Sequence, residues 1–246
     1  MIVYDSHLHV GMLADNCLVH PKEVLSFVSK HQVVGGIIMP TARIDGGDEL
    51  ELNSLLYKEA KEIGFNTALY VNKSVMQLYE KGKLDASHSH CVLKLHPEAV
   101  NYTDEEIEYV CLMAKEMGKP LFIHTGGNPS CHSLRFEAVI REYPSLIFIL
   151  CHARPSEEAL YLLEKYSNVW IDTAFLSIEK LKKFVLKGYA DRILFGSDYP
   201  TNRWFYDIED STWYQEQINE ILSSLPNRVA IQILCKNFQK LFNLKI

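Results

Sequence analysis

The chain has 246 residues, 48% hydrophobic and 23% charged, enough apolar material for one large globular domain with a sizeable core. A formal charge of −6 without a clustered basic stretch argues against a nucleic-acid partner. No apolar run matches a bilayer span and no basic leader precedes the first strand, so a cytoplasmic protein without membrane contact is expected.

The first apolar stretch, "MIVYDSHLHVG", carries His7 and His9 two residues apart. Strand side chains alternate faces, so Asp5, His7 and His9 share one face, and paired imidazoles at a strand end suit a divalent ion. Seven further β-branched or aliphatic runs follow: "VVGGIIMPT", "FNTALYVN", "CVLKLHP", "PLFIHT", "SLIFILCH", "NVWIDTA" and "DRILFGSD". Between them lie amphipathic stretches such as "PKEVLSFVSKH", "DEEIEYVCLMAKEMG", "LRFEAVIREYP", "SEEALYLLEKY" and "IEKLKKFVLKGY". The second of these has Thr103 or Asp104 as N-cap, with Gly118 and Pro120 just past its end. A helical tail closes the chain, "YQEQINEILSSL" and then "NRVAIQILCKNFQKLF". Eight strands alternating with helices, and no linker or composition break, predict an α/β chain of (β/α)8 type, a single domain over residues 1–246. A doubly wound open sheet shares the alternation, but its glycine-rich first turn is absent from "DSHLHVG".

Polar residues gather at the C-terminal ends of these strands. Strand one ends in His7 and His9, strand four in Lys94 and His96, strand five in His124, strand six in His152 and strand eight in Asp198. In a barrel those ends surround one mouth, where catalytic groups converge. His7, His9 and His124 offer three nitrogens and Asp198 a carboxylate oxygen, leaving a position for water on one divalent ion, Zn2+ first and Mn2+ as the alternative. Asp198 also serves as proton acceptor, and His152 as the group that polarises substrate or delivers a proton. Taken singly, each of these residues also reads as a hydrogen-bonded strand-end histidine or a turn aspartate.

The motifs in this order resemble the amidohydrolase superfamily, in its amidohydrolase-related (amidohydrolase 2) branch of metal-dependent TIM-barrel hydrolases. The matching segments are "DSHLH", "FIHTGG", "ILCHARP", "FGSDYP" and the closing "NFQKLFNL". The resemblance implies His7, His9, His124 and Asp198 as metal ligands and His152 as the acid–base residue. Two departures stand out. Ala153 and Arg154 occupy the place of a glycine pair that the family often has after the strand-six histidine, setting a fixed cation at the mouth. Lys94 and His96 fall on one parity of strand four; a carboxylated lysine bridges two metals in binuclear relatives, whereas here one ion is expected.

These readings predict a hydrolase in which a metal-activated water cleaves an amide, ester or lactone of a small molecule. Lys94, His96 and Arg154 would bind substrate, which is expected to bear a carboxylate. The alternatives are a decarboxylase of the same superfamily and a non-catalytic barrel that binds a small molecule; a homo-oligomer is compatible with either. Arg43, Asp45, Arg203 and Trp204 read as solvated loop residues near the pocket. Cys131 beside His132 reads as a loop residue and not a nucleophile, the pairs Gly35–Gly36 and Gly126–Gly127 read as tight turns, and the six scattered cysteines read as free thiols.

Overall fold

A computed structural model describes residues 1–12, 18–41, 50–84, 91–206 and 208–243. Arg43 and Asp45 lie outside the described residues, as do Cys17, His88 and His90. The chain packs as two compact units, one formed by Met1–Thr41, Leu50–Asn66 and Asp172 onward, the other by Thr67–Ile171.

In the first unit, β1 (Val3–Met12) pairs parallel with β3 (Val33–Pro40) and antiparallel with the two-residue β2 (Leu18–Val19), a strand not foreseen in the sequence. The β1–β3 register runs Asp5↔Gly36 and then Leu8↔Ile38, so β1 carries one extra residue there, and such a bulge re-aims the side chains beside it. Gly35 and Gly36 lie inside β3 and form no turn. A Cβ on Gly36 would stand 2.0 Å from the Asp5 carbonyl oxygen, so glycine is required for close approach of the two backbones. Between these strands runs α1 (Pro21–Val28), which buries Val24 and Val28. Helix α2 (Leu50–Glu62) follows β3.

Farther along, β9 (Ile193–Leu194) and the segment after it run beside β1. Ser6 N donates to Phe195 O (2.8 Å), Asp198 N to His7 O (2.8 Å) and His9 N to Tyr199 O (2.8 Å). This ladder sets residue 198 against residues 7 and 9. The tail comprises α8 (Asp210–Ser224) and a helix from Asn227 to Leu241 that widens to a π turn over Gln232–Lys236. The Asn237 amide fastens that helix to the β9 edge, donating to Ala190 O and Ile193 O, each at 2.7 Å.

The second unit carries a parallel run in strict order: β4 (Asn66–Tyr70), β5 (Val92–Leu95), β6 (Leu121–His124), β7 (Phe148–Cys151) and β8 (Val169–Asp172). Leu121, Phe122, Ile123, Phe148, Ile149 and Leu150 are all fully buried, as continuous apolar parallel strands covered on both faces should be. Helices α3 (Lys73–Glu80), α4 (Asp104–Glu116), α5 (Glu137–Glu142) and α6 (Ser156–Lys165) connect these strands, and α7 (Ile178–Leu186) lies beyond β8. Helix α4 is closed at its start by a reciprocal capping box: Glu106 N donates to Thr103 Oγ1 (3.2 Å) and Thr103 N to Glu106 Oε2 (2.9 Å). It buries Ile107, Val110, Cys111 and Ala114, one helical stripe. Gly118, at φ 63°, follows its last turn. Among the described residues no helix is long and apolar enough to cross a membrane.

Candidate metal centre and active site

His7 and His9 project from β1, and the 193–199 ladder brings Asp198 to them. His7 Nε2 lies 3.1 Å from His9 Nε2, and Asp198 Oδ1 lies 3.0 Å from the first and 2.8 Å from the second. All three residues are buried. Behind them, Asp172 Oδ2 stands 2.8 Å from His7 Nδ1, so the carboxylate accepts a hydrogen bond from Nδ1–H and the Nε2 lone pair faces His9 and Asp198. A lone pair aimed at a carboxylate oxygen and a second ring nitrogen is repulsive unless a cation lies among them. Tetrahedral ligands at zinc–nitrogen and zinc–oxygen bond lengths are roughly 3.3 Å apart, near the spacing of this triad. The donor set fits a divalent ion on chemistry and on spacing.

The backbone helps to aim the carboxylate. Asp198 has φ 65°, a left-handed conformation uncommon outside glycine, and is held there by several contacts. Thr201 Oγ1 donates to Asp198 Oδ2 at 2.8 Å and Thr201 N to Asp198 O at 2.9 Å, so one carboxylate oxygen is tied and the other faces the imidazoles. Gly196 makes the approach possible, because a Cβ there would meet His7 Cβ at 2.9 Å. Asp5, fully buried, receives Tyr214 Oη (2.7 Å), His7 N (3.0 Å) and Ser197 N (3.1 Å). Burial pushes its carboxyl up to about 6 against the lowering effect of those hydrogen bonds.

The other strand-end residues form a second group. His124, the last residue of β6, points Nδ1 at His152 Nε2 across 3.1 Å. The His96 ring stacks on His124 with centroids 3.9 Å apart, and Glu98 Oε2 lies 3.5 Å from His124 Nε2. His152 follows β7 directly, with φ 67°, and Ala153 has φ 48°. Lys94 is buried on β5, with Nζ 3.1 Å from Cys151 Sγ. Half-buried Arg154 lies with its stem across Gly126, where a Cβ would meet its Cδ at 2.5 Å, and Arg154 N donates to Thr125 Oγ1 (2.9 Å). Arg203 is turned to Asp210, with Nη2 at 2.6 Å and Nε at 2.8 Å.

The structure thus joins His7, His9 and Asp198 in one unit, and Lys94, His96, His124, His152 and Arg154 belong to the other. Sequence reasoning passed over Asp172, Glu98 and Thr201. Asp172 carries the same signal as the chosen residues, a polar side chain closing an apolar strand, and Glu98 stands two residues past His96.

Solved structures share this fold over nearly their whole length. A probable 2-pyrone-4,6-dicarboxylic acid hydrolase of Acinetobacter baumannii, with citric acid bound, has 14% identity and a TM-score of 0.73, over 99% of this chain and 100% of that one. An uncharacterized TIM-barrel protein of Bordetella bronchiseptica has 15% identity and a TM-score of 0.66, over 99% of each chain. A 2,6-dihydroxybenzoate decarboxylase has 14% identity and a TM-score of 0.68, over 99% of this chain and 98% of that one. No curated protein matches the chain. The fold is of the (β/α)8 TIM-barrel class, and the protein is an enzyme of the amidohydrolase type. Residues 87–244 match the model of the amidohydrolase family, and the chain belongs to that family.

Proposed function

We propose that the chain is a single catalytic domain in which His7, His9 and Asp198 hold one divalent ion, zinc in preference to manganese. The observation that carries this is the convergence of three donor atoms within 3.1 Å of one another. His124 as a further ligand and His152 as the acid–base residue rest on the order of the strand-end motifs and not on a distance. When bound, the ion supplies Lewis-acid polarisation and lowers the pKa of water toward neutrality.

The protein's own groups do the rest. Asp172 holds the His7 ring in the tautomer that presents Nε2. Asp198, with Oδ2 anchored by Thr201, takes the proton of the attacking water, and His152 hands a proton to the leaving group. The bond cleaved is the amide, ester or lactone of a small molecule. Lys94, His96 and Arg154 are assigned to a substrate carboxylate, a class supported by the citric acid bound in the Acinetobacter relative. The enzyme is placed in the cytoplasm, and a homo-oligomer is compatible with this reading. Decarboxylation is the second reading, favoured by likeness to the dihydroxybenzoate decarboxylase.

Elemental analysis of the native protein, followed by a screen of lactones, amides and aromatic acids with and without a carboxylate arm, tests the proposal. A bound divalent metal and a hydrolytic product from the acidic substrates are expected. Release of carbon dioxide without hydrolysis selects the second reading, and native protein free of divalent metal overturns the metal mechanism.

A further inference from the structure

We infer that Tyr214, on the tail helix α8, is a positioning residue of the metal centre, acting through Asp5 to hold the His7 and Asp198 segments in register. The inference rests on the proposed reading of His7, His9 and Asp198 as metal ligands. Asp5 bridges the two segments. Its Oδ1 accepts from His7 N (3.0 Å) and from Ser197 N (3.1 Å), the amide next to Asp198. Its other oxygen, Oδ2, accepts from Tyr214 Oη at 2.7 Å, across 209 positions of sequence. Asp5 and Tyr214 are fully buried and Ser197 is 2% exposed, so bulk water does not stand in for a lost donor. A buried carboxylate deprived of one partner keeps its desolvation cost and turns toward whatever donors remain. The Tyr214 hydroxyl therefore fixes the plane of the Asp5 carboxylate, and that plane sets how the His7 and Ser197 backbones face each other.

Aromatic neighbours hold the Tyr214 ring in place. Phe27, Tyr199 and Phe195 meet it edge-on, with centroids at 5.5, 5.9 and 6.3 Å and interplanar angles of 90°, 87° and 88°. The His31 ring lies 5.0 Å away, tilted by 43°. The same histidine ties down α8, with Nδ1 3.0 Å from Gln215 Oε1 and Nε2 3.3 Å from Ser211 Oγ. On the other side of Asp5, Ser197 extends the connection, because its Oγ accepts from Tyr199 N at 3.0 Å and so spans Asp198. Asp198 sits at φ 65°, a conformation that persists only where the surroundings over-determine it. Thr201 restrains it from the carboxylate side. The Tyr214–Asp5–Ser197 chain restrains it from the backbone side, and through His7 N the same carboxylate reaches the ligand-bearing strand β1.

Co2+ binding to the full-length protein after metal removal, read by the visible d–d spectrum and by competition with a chelator, tests the assignment. Tyr214→Phe keeps the ring and deletes only the hydroxyl. It should bind Co2+ about tenfold more weakly than wild type and with an altered d–d spectrum. Phe27→Leu is the packing control, because Phe27 belongs to the same ring cluster and has no hydrogen-bonding side chain. It should lower the unfolding temperature yet keep the wild-type affinity and spectrum. Equal affinity and spectrum in wild type and Tyr214→Phe overturn the assignment alone, and so does an equal loss in Phe27→Leu, which would reduce the role of Tyr214 to packing. A wild type that takes up no Co2+ overturns the metal reading and this assignment with it. A wild type that shows the expected difference from Tyr214→Phe but hydrolyses no substrate overturns the hydrolase reading and leaves the role of Tyr214 standing.

Discussion

At the scale of single residues, the centre is organised by what stands behind the donors. Asp172 is fully buried, 2.8 Å from His7 Nδ1, and its second oxygen receives Ala174 N at 3.1 Å, so both carboxylate oxygens are engaged. Partners that fix the tautomer of a ligating histidine contribute strongly to affinity. Asp172→Asn keeps the shape and removes the charge, and should weaken metal affinity by about 10–100-fold in chelator competition. Unchanged affinity would remove Asp172 from that role. The residue went unnoticed in the sequence because a carboxylate ending an apolar strand also reads as an ordinary loop entry. His7 and His9 were legible because two imidazoles on one strand face have few other uses. Gly36 shows the converse: its pair with Gly35 reads as a turn, and only the nearness of the Asp5 carbonyl explains it.

At the scale of elements, periodicity and punctuation carried most of the information. All eight predicted strands are present, and the helix starting at Thr103 takes that residue as its cap. Thr103 satisfies an otherwise unpaired amide of the first turn, and Asp104, Glu105 and Glu106 favour the positive end of the helix dipole. Thr103→Ala should therefore lower stability by about 1 kcal/mol in urea denaturation, with the m-value unchanged. No measurable loss would show that packing of the Ile107–Ala114 stripe alone holds the helix. The two-residue β2, the β1 bulge and the π turn over Gln232–Lys236 escaped the sequence reading. Each is a local departure set by pairing or packing with a neighbour, and none disturbs the hydrophobic period from which elements are read.

At the scale of the whole molecule, the cysteines report how completely the chain excludes water. Burial pushes the Cys91 and Cys111 thiols each up to about 12. A raised thiol pKa keeps both protonated through neutral pH, with the thiolate fraction growing about tenfold per pH unit toward 12. Iodoacetamide at pH 8 should leave the fully buried Cys111 unmodified in native protein and label it after denaturation, as peptide mapping would show. Fast native labelling of Cys111 would contradict its full burial. By itself the sequence determined the alternation of strands and helices, the family, and the crowding of histidines and Asp198 at strand ends, because hydrophobic period and residue type are local properties. Only the tertiary structure decided that Asp198 stands beside His7 and His9, that Asp172 orients one of them, and that donor atoms of Cys131, Glu98 and His124 lie within 4.8 Å of one another. Those contacts join residues far apart along the chain, and it is backbone pairing and glycine-permitted close approach that set their distances.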